Sequence, residues 1–269
     1  MNDQKVSNKT KYTYAMTGMG RDMMYALYGT YLMVFFTDAL GFSKGTILTL
    51  SILVFVARIW DAINDPIMGT IIDNTKSRFG KFKPWILSGA LLSSIFFIVL
   101  FQDWGLSGIA LYVTFFIVYV LSGMSFTMND IAYWSMYPSF TADAKEREQI
   151  GSLARIFASL GMFIVIAAVP LIYPNMFDTP KRAFGVIVIV LAVIYLLSQA
   201  ILFFFLKQPE NKIAQVKQDK TSLKEMIKVI KENDQLLVII VSILLFNIGY
   251  FVTTSLGIYF FNYDFNKYG

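Results

Sequence analysis

Seven apolar segments, most of them about as long as a bilayer is thick, divide this sequence and limit the folds open to it. They cover residues 14–40, 46–73, 85–101, 108–138, 149–174, 183–206 and 236–261. A helix needs about 20 apolar residues to cross the hydrocarbon core of a bilayer. Backbone groups in lipid must be paired within the segment, so such segments fold as helices. The sequence therefore predicts an all-α integral membrane protein.

The composition agrees with this prediction and excludes several kinds of chemistry. Hydrophobic residues make up 56% and charged residues 15% of the 269 residues, which is unusual for a soluble domain. The absence of cysteine and histidine excludes disulfides, Cys or His metal sites and imidazole-dependent triads. No nucleophile stands next to a base, so we expect no enzyme and no cofactor other than a coupling ion.

The basic residues indicate the orientation of the chain in the membrane. Sixteen lysines and arginines fall in the N-terminus and in loops 74–84, 141–148 and 207–234, whereas four fall on the opposite side. Cytoplasmic loops carry such an excess. We therefore interpret the net charge of +5 as a topology signal and not as a nucleic-acid surface. The prediction is a multi-pass protein of a bacterial-type cytoplasmic cell membrane, with a cytoplasmic N-terminus.

The longest polar stretch, 207–234, is predicted to be a cytoplasmic linker between two bundles. Residues 1–206 would form a six-helix bundle, and 235–269 the first helix of an incomplete second bundle. Part of the linker, about 221–232, is either an amphipathic helix on the inner leaflet or a solvated connector. Six predicted spans form one bundle and a single span begins the next, so the second bundle is incomplete. We therefore expect a fragment of a protein of about twice this length.

Charged residues recur along one face of the second predicted span. Arg58, Asp61 and Asp65 have helical spacing, and charges at membrane depth must point into the bundle. Asn64 lies beside them, and Pro66 frees a main-chain carbonyl four residues earlier. These oxygens suit a small cation. The alternative is a structural ion pair in which Arg58 neutralises one carboxylate.

The charges predicted at membrane depth do not balance. They are Arg21, Arg58, Arg155, Asp22, Asp61, Asp65 and Asp130. Four acids face three bases, so a bound monovalent cation, Na⁺ or H⁺, would restore neutrality. Because histidine is absent, a proton inside the membrane must be carried by a carboxylate.

A second polar face lies on the segment 108–138, where Thr127, Asp130 and Trp134 have helical spacing. A sugar needs polar partners for its hydroxyls and an aromatic ring for its C–H face. We therefore favour ligand contact by Trp134 over bundle packing. Arg155 either pairs with an acid, Asp22 or Asp130, or contacts the substrate.

The loop after the second span carries Asp73 at a helix end, followed by Arg78 and Lys81. A carboxylate close to basic residues can form a breakable cytoplasmic gate. Anchoring to the cytoplasmic side explains the basic residues equally well, but it does not explain Asp73.

Several motifs occur together in the first 206 residues. They are GRD at 20–22, RIWDAINDPIMG at 58–69, RFGKFKPW at 78–85, DIAYWS at 130–135, KEREQ at 145–149 and RIFAS at 155–159. Together they resemble the glycoside-pentoside-hexuronide:cation symporters, a branch of the major facilitator superfamily. The resemblance implies that superfamily's N-terminal six-helix bundle plus the start of the second bundle.

The resemblance also implies roles for particular residues. The implied cation-binding residues, and Na⁺ ligands if Na⁺ is used, are Asp61, Asn64, Asp65 and Thr127. The implied sugar-binding residues are Arg21, Asp22, Asp130, Trp134 and Arg155. Arg21 stands where a member of the family has lysine, so sugar specificity is not carried over. The neutral oxygens of Asn64 and Thr127 favour Na⁺, since a proton needs only a carboxylate.

The predicted function is secondary active uptake of a glycoside or oligosaccharide, coupled to Na⁺ or H⁺ by alternating access. Its expected partners are a sugar, a monovalent cation and the lipid bilayer. One alternative is a non-transporting membrane sugar sensor or an inactive truncated fragment. An ion channel is disfavoured by the mixed Arg and Asp interior.

Overall fold

The computed structural model describes residues 5–173, 177–206 and 231–263. Within these ranges the chain is helical and contains no strand, which confirms the all-α prediction. The α-helices are α1 (Asn8–Ala26), α2 (Leu32–Val34), α3 (Lys44–Asp73), α4 (Lys83–Leu100), α5 (Gly108–Met136), α6 (Ala144–Ile172), α7 (Pro180–Phe205) and α8 (Asp234–Tyr263).

Five helices of the described part, α3 to α7, are long and apolar enough to cross a membrane. Several begin before the apolar segment because a polar residue caps them. Asp143, for example, accepts a hydrogen bond from the backbone N–H of Lys145, so α6 begins five residues before the predicted 149. α1 is not among the five, since it carries Lys9, Lys11, Arg21 and Asp22. α8 covers the predicted seventh segment.

The first predicted span, 14–40, is not one regular helix. Two π-helical turns, Leu27–Tyr31 and Phe35–Ala39, stand on either side of the short α2. Leu27 and Phe35 are completely buried there. A π-helical turn inserts an extra residue per turn and changes the direction of the side chains that follow.

The chain divides into two compact units, Met1–Ala214 and Gln215–Gly269. In the first unit, neighbouring helices follow the order α6, α1, α7, α4, α5, α3. α1 also contacts α5 through side chains described below. The predicted linker 207–234 lies outside the described residues up to position 230, and its boundaries stay a prediction.

Interactions at the two ends of the bundle agree with alternating spans. At one end, the Lys83 ammonium donates to the backbone oxygen of Phe203, 2.7 Å away. At the other end, Lys181 lies 2.7 Å from Asp103. The Lys181 ammonium and the Gly105 backbone N–H hold the pKa of the Asp103 carboxyl below its usual range. These two contacts place α4 and α7 antiparallel, with the start of each helix close to the end of the other.

α1, together with the residues just before and after it, contacts α6 at three separate points. Glu146, near the start of α6, accepts from the Val6 backbone N–H at 2.9 Å and lies 2.8 Å from the Lys11 ammonium. Gly161 lies against α1, where a Cβ atom would come within 2.5 Å of the Met19 backbone oxygen. Further along, the hydroxyl of Tyr31 donates to the backbone oxygen of residue 166, 2.7 Å away.

Gly89 allows a similarly close approach of α4 to α5. A Cβ atom at Gly89 would lie 2.6 Å from the backbone nitrogen of Asn129 and 2.9 Å from the backbone oxygen of Ser125. Neither backbone atom can move without shifting α5. Gly89→Ala should therefore lower the free energy of unfolding by about 1 to 3 kcal/mol, the usual cost of overpacking.

Gly185 on α7 provides the matched control, because a Cβ atom there would have no neighbour within 4 Å. Gly185→Ala should be neutral or stabilising by up to about 1 kcal/mol, since alanine is the better helix former. Denaturant unfolding of both variants in detergent measures the difference. Equal stabilities would contradict the close contact at Gly89.

Candidate functional site

One guanidinium joins two acids from different helices. Arg21 on α1 has a side chain that is 1% exposed, and its Nη2 atom donates to Asp22 Oδ2 at 2.7 Å. Its Nη1 atom lies 3.0 Å from Asp130 Oδ1 on α5. The side chain of Asp22 is 12% exposed and that of Asp130 39% exposed. Arg21 therefore positions two carboxylates next to each other.

Trp134 lies beside this ion-pair cluster. The guanidinium carbon of Arg21 is 4.9 Å from the centre of the Trp134 ring, and that of Arg155 is 4.7 Å away. Both distances are typical of cation–π contacts. Of the two alternatives for Arg155, pairing with Asp22 or Asp130 is not found in the described part of the chain. Arg155 is exposed, with its guanidinium over the aromatic ring.

A reciprocal contact between Tyr14 and Tyr133 holds α1 against α5 next to Arg21. Each hydroxyl donates to the other residue's backbone oxygen, at 2.7 and 2.9 Å. The rings stack with centroids 4.5 Å apart. This pair was not predicted, because nothing in the sequence distinguishes these two tyrosines from the other thirteen. It fixes the axial register of the helices that carry Asp22 and Asp130.

Behind the cluster, two amide side chains connect four helices. Asn129 Nδ2 on α5 donates to the Ile86 backbone oxygen on α4 at 2.7 Å. Gln199 Nε2 on α7 donates to the Thr17 backbone oxygen on α1 at 2.8 Å. These two residues were not predicted either, although a polar amide within an apolar segment is itself a signal of a buried polar contact. These hydrogen bonds hold together α1, α4, α5 and α7 behind the ion-pair cluster of Arg21.

A second polar cluster lies where α3 meets α5. Arg58 Nη1 is 3.4 Å from Asp61 Oδ2, and the Thr127 hydroxyl donates to Asp65 Oδ1 at 3.1 Å. Gly123 on α5 leaves room for Asp61, since a Cβ atom there would lie 3.2 Å from Asp61 Oδ1. The spacing of Arg58, Asp61 and Asp65 on one face is thus found in the structure, and Asp65 is exposed.

Asn64 lies on the buried face of α3 and is 7% exposed. Its Nδ2 atom has no hydrogen-bond partner among the described residues. No group of three or more acidic side chains in that part of the chain is arranged to hold a metal ion. The predicted Na⁺ ligands instead combine two carboxylates with neutral oxygens, which are donors that hard cations accept.

The two clusters interact electrostatically. Both Asp61 and Asp130 repel the charge on Asp65, and Arg155 attracts that on Asp22. The Arg58 side chain is 47% exposed, so water screens its attraction for Asp61. An additional cation near Asp61 and Asp65 would relieve this repulsion.

The structure brings together two of the three predicted gate residues. Lys81 Nζ lies 2.7 Å from Asp73 Oδ1. Arg78 instead has its guanidinium 4.7 Å from the ring centre of the adjacent Phe79. Gly80 has φ of 90°, a left-handed conformation that suits glycine and turns Lys81 back toward the end of α3.

Comparison with known proteins gives one family and several relatives. The sequence profile described as "MFS/sugar transport protein" matches residues 13–268. The lactose permease of Leuconostoc lactis is 32% identical over 95% of this chain and 43% of its own length. The raffinose carrier protein of Pediococcus pentosaceus is 28% identical over 94% and 42%. The isoprimeverose transporter of Lactiplantibacillus pentosus is 28% identical over 94% and 53%.

The chain thus spans about half, or somewhat less, of the length of the curated relatives it matches. These relatives are named as permeases, carriers or transporters, and none is named as an enzyme. The expectation that the chain does not belong to an enzyme family is confirmed.

Proposed function

The chain belongs to the MFS/sugar transport protein family, and on this premise we propose that it forms part of a symporter that couples uptake of a glycoside to Na⁺ or H⁺. The observation that carries this proposal is the fixed pair Asp22 and Asp130 beside Trp134. Two oriented carboxylates accept hydrogen bonds from sugar hydroxyls, and the indole packs against the C–H face of a ring.

Arg21 is almost completely buried, so its main role would be to orient the two carboxylates. Arg155 is exposed above Trp134 and is free to donate to a sugar hydroxyl. The substrate class follows from these donors and acceptors: a neutral glycoside with several hydroxyls. Relatives named for lactose, raffinose and isoprimeverose agree with this class.

The proposed cation site is formed by Asp61 and Asp65, with Asn64 and Thr127 as neutral oxygen donors. A cation there reduces the repulsion that Asp61 and Asp130 exert on Asp65. A cation there also affects the sugar site electrostatically, since Asp130, which lies against Arg21, repels the charge on Asp65. This shared acid gives a physical route by which one ligand favours the other.

Transport would proceed by alternating access, with the ion pair between Asp73 and Lys81 opening and closing at the cytoplasmic end. Arg78 would contribute to the gate only after leaving Phe79. The excess of basic residues in alternating loops supports a cytoplasmic N-terminus in a cell membrane.

Linkage between sugar and cation tests the proposal. In the full-length protein reconstituted in lipid, lactose should bind about tenfold more tightly with saturating Na⁺ than with choline, a typical coupling factor. If the coupling ion is H⁺, the affinity should instead rise as the pH falls, without Na⁺. Calorimetric titration measures both. An affinity that responds to neither ion would contradict the proposed coupling.

A membrane sugar sensor is the second candidate, since Asp22 and Asp130 beside Trp134 would bind a sugar whether or not the protein transports it. A sensor would bind sugar without moving it. Sugar binding combined with no flux into sealed vesicles would favour this candidate.

A further inference from the structure

An open cavity adjoins the Trp134 cluster where α5 ends and α6 begins. Its volume is about 520 Å³, within the range of small-molecule sites. Trp134 and Tyr137 line it from the end of α5, and Glu148, Ser152 and Arg155 line it from α6. Trp134 and Arg155 belong to the proposed sugar site, so the cavity extends that site toward the start of α6.

The polar lining from α6 lies on one helical face, and its one contact with another part of the site is that of Arg155 with the Trp134 ring. Glu148, Ser152 and Arg155 follow each other at spacings of four and three residues. Within the described ranges, none of the three has an ion pair or side-chain hydrogen bond, and both Glu148 and Arg155 are exposed. By contrast, Glu146, two residues before Glu148 and on another face, is buried and forms an ion pair with Lys11.

The aromatic lining is fixed in place. The rings of Trp134 and Tyr137 meet at 85° with centroids 6.3 Å apart. Gly151 on α6 makes room for Tyr137, since a Cβ atom there would come within 3.2 Å of the tyrosine ring. Two perpendicular aromatic surfaces, a carboxylate, a hydroxyl and a guanidinium surround one space. This combination fits a carbohydrate ring better than an apolar ligand or a simple ion.

We propose that this cavity binds the second sugar ring of a disaccharide or longer glycoside, while Asp22 and Asp130 bind the first. The inference rests on the proposed function and adds a length preference to it. Trp134 forms the wall shared by both rings, because Arg21 of the first cluster and the cavity both contact it. Glu148 and Ser152 would bind hydroxyls that a monosaccharide lacks.

The experiment compares ligands of increasing length. Binding of a methyl galactoside, lactose and raffinose to the full-length protein is measured by calorimetry for the wild type, Glu148→Gln and Ser152→Ala. Glu148→Gln should weaken lactose and raffinose binding about tenfold, as for loss of one hydrogen bond to a charged group, and leave the methyl galactoside within about twofold. Ser152→Ala should give a smaller loss with the same length dependence.

Asp178→Asn is the charge-matched control, because Asp178 is an exposed carboxylate whose partner is Arg182 at the opposite end of the bundle. It should change none of the affinities. Equal weakening of all three ligands by Glu148→Gln, or no weakening of any, would overturn the second subsite while leaving the sugar site intact. A wild-type protein that binds none of the three sugars would overturn the proposed function and the subsite together.

Discussion

Replacing Asp65 by asparagine should abolish accumulation of sugar against its gradient. The amide has the shape of the carboxylate and can still accept the hydrogen bond that Thr127 donates at 3.1 Å, so the local structure should persist. It lacks the negative charge that a coupling cation neutralises. One coupled cation at about 100 mV supports roughly fifty-fold accumulation, and the ratio in this variant should fall to about one.

Uptake of labelled sugar into energised vesicles measures this ratio, and exchange of sugar without a gradient measures the remaining carrier activity. Asp38→Asn serves as control, because Asp38 is an exposed acid near the end of α6, where Tyr173 donates to it at 3.0 Å. The control should accumulate sugar normally. If Asp65→Asn retained cation-driven accumulation, Asp65 would have no role in coupling.

Arg21→Met should destabilise the protein more than any other single change at the site. Asp22 would be left 12% exposed with no neighbouring base in contact, and breaking a buried ion pair in this way costs about 3 to 5 kcal/mol. Asp130 is more exposed and adds less. Unfolding in detergent, followed by heat or denaturant, gives the free-energy difference.

Arg155→Met is the matched control, since it removes an exposed guanidinium that lies over Trp134 and has no ion pair among the described residues. It should cost less than about 1 kcal/mol in stability. The double variant Arg21→Met with Asp22→Asn should recover part of the loss, because the uncompensated charge is also removed. If Arg21→Met and Arg155→Met unfolded alike, the buried ion pair would not be a stabilising element.

Helical spacing was enough to predict some contacts. Arg58, Asp61 and Asp65 are separated by three and four residues. Any α-helix, in water or in lipid, places residues with this spacing on one face. Within the helix, the pairing of Arg58 with Asp61 follows directly. The proximity of Thr127 to Asp65 came from the family resemblance, because no spacing rule connects residues on separate helices.

Other features depend on which helices become neighbours, and helical spacing within one segment does not determine that. Arg21 was expected at the sugar site, but its burial between two acids follows from the approach of α1 to α5. Tyr14 contributes to this approach through its reciprocal hydrogen bonds with Tyr133. Glu146 looked like one of several charges in a loop motif, yet it is buried against residues that precede α1.

The attachments of α1 and the π-helical turn that follows it to α6, at Glu146, Gly161 and Tyr31, limit how the bundle can rearrange. They lie near the two ends and the centre of the contact, so sliding or tilting one helix against the other would break at least one of them. Among the described residues, no hydrogen bond, ion pair or close glycine contact attaches α3 to α1 or α6, and its contacts are mainly with α5. Rocking motions of the bundle should therefore move α1 and α6 together as one rigid body. The strain should be concentrated where α3 meets α5, which is where the acids of the proposed cation site lie.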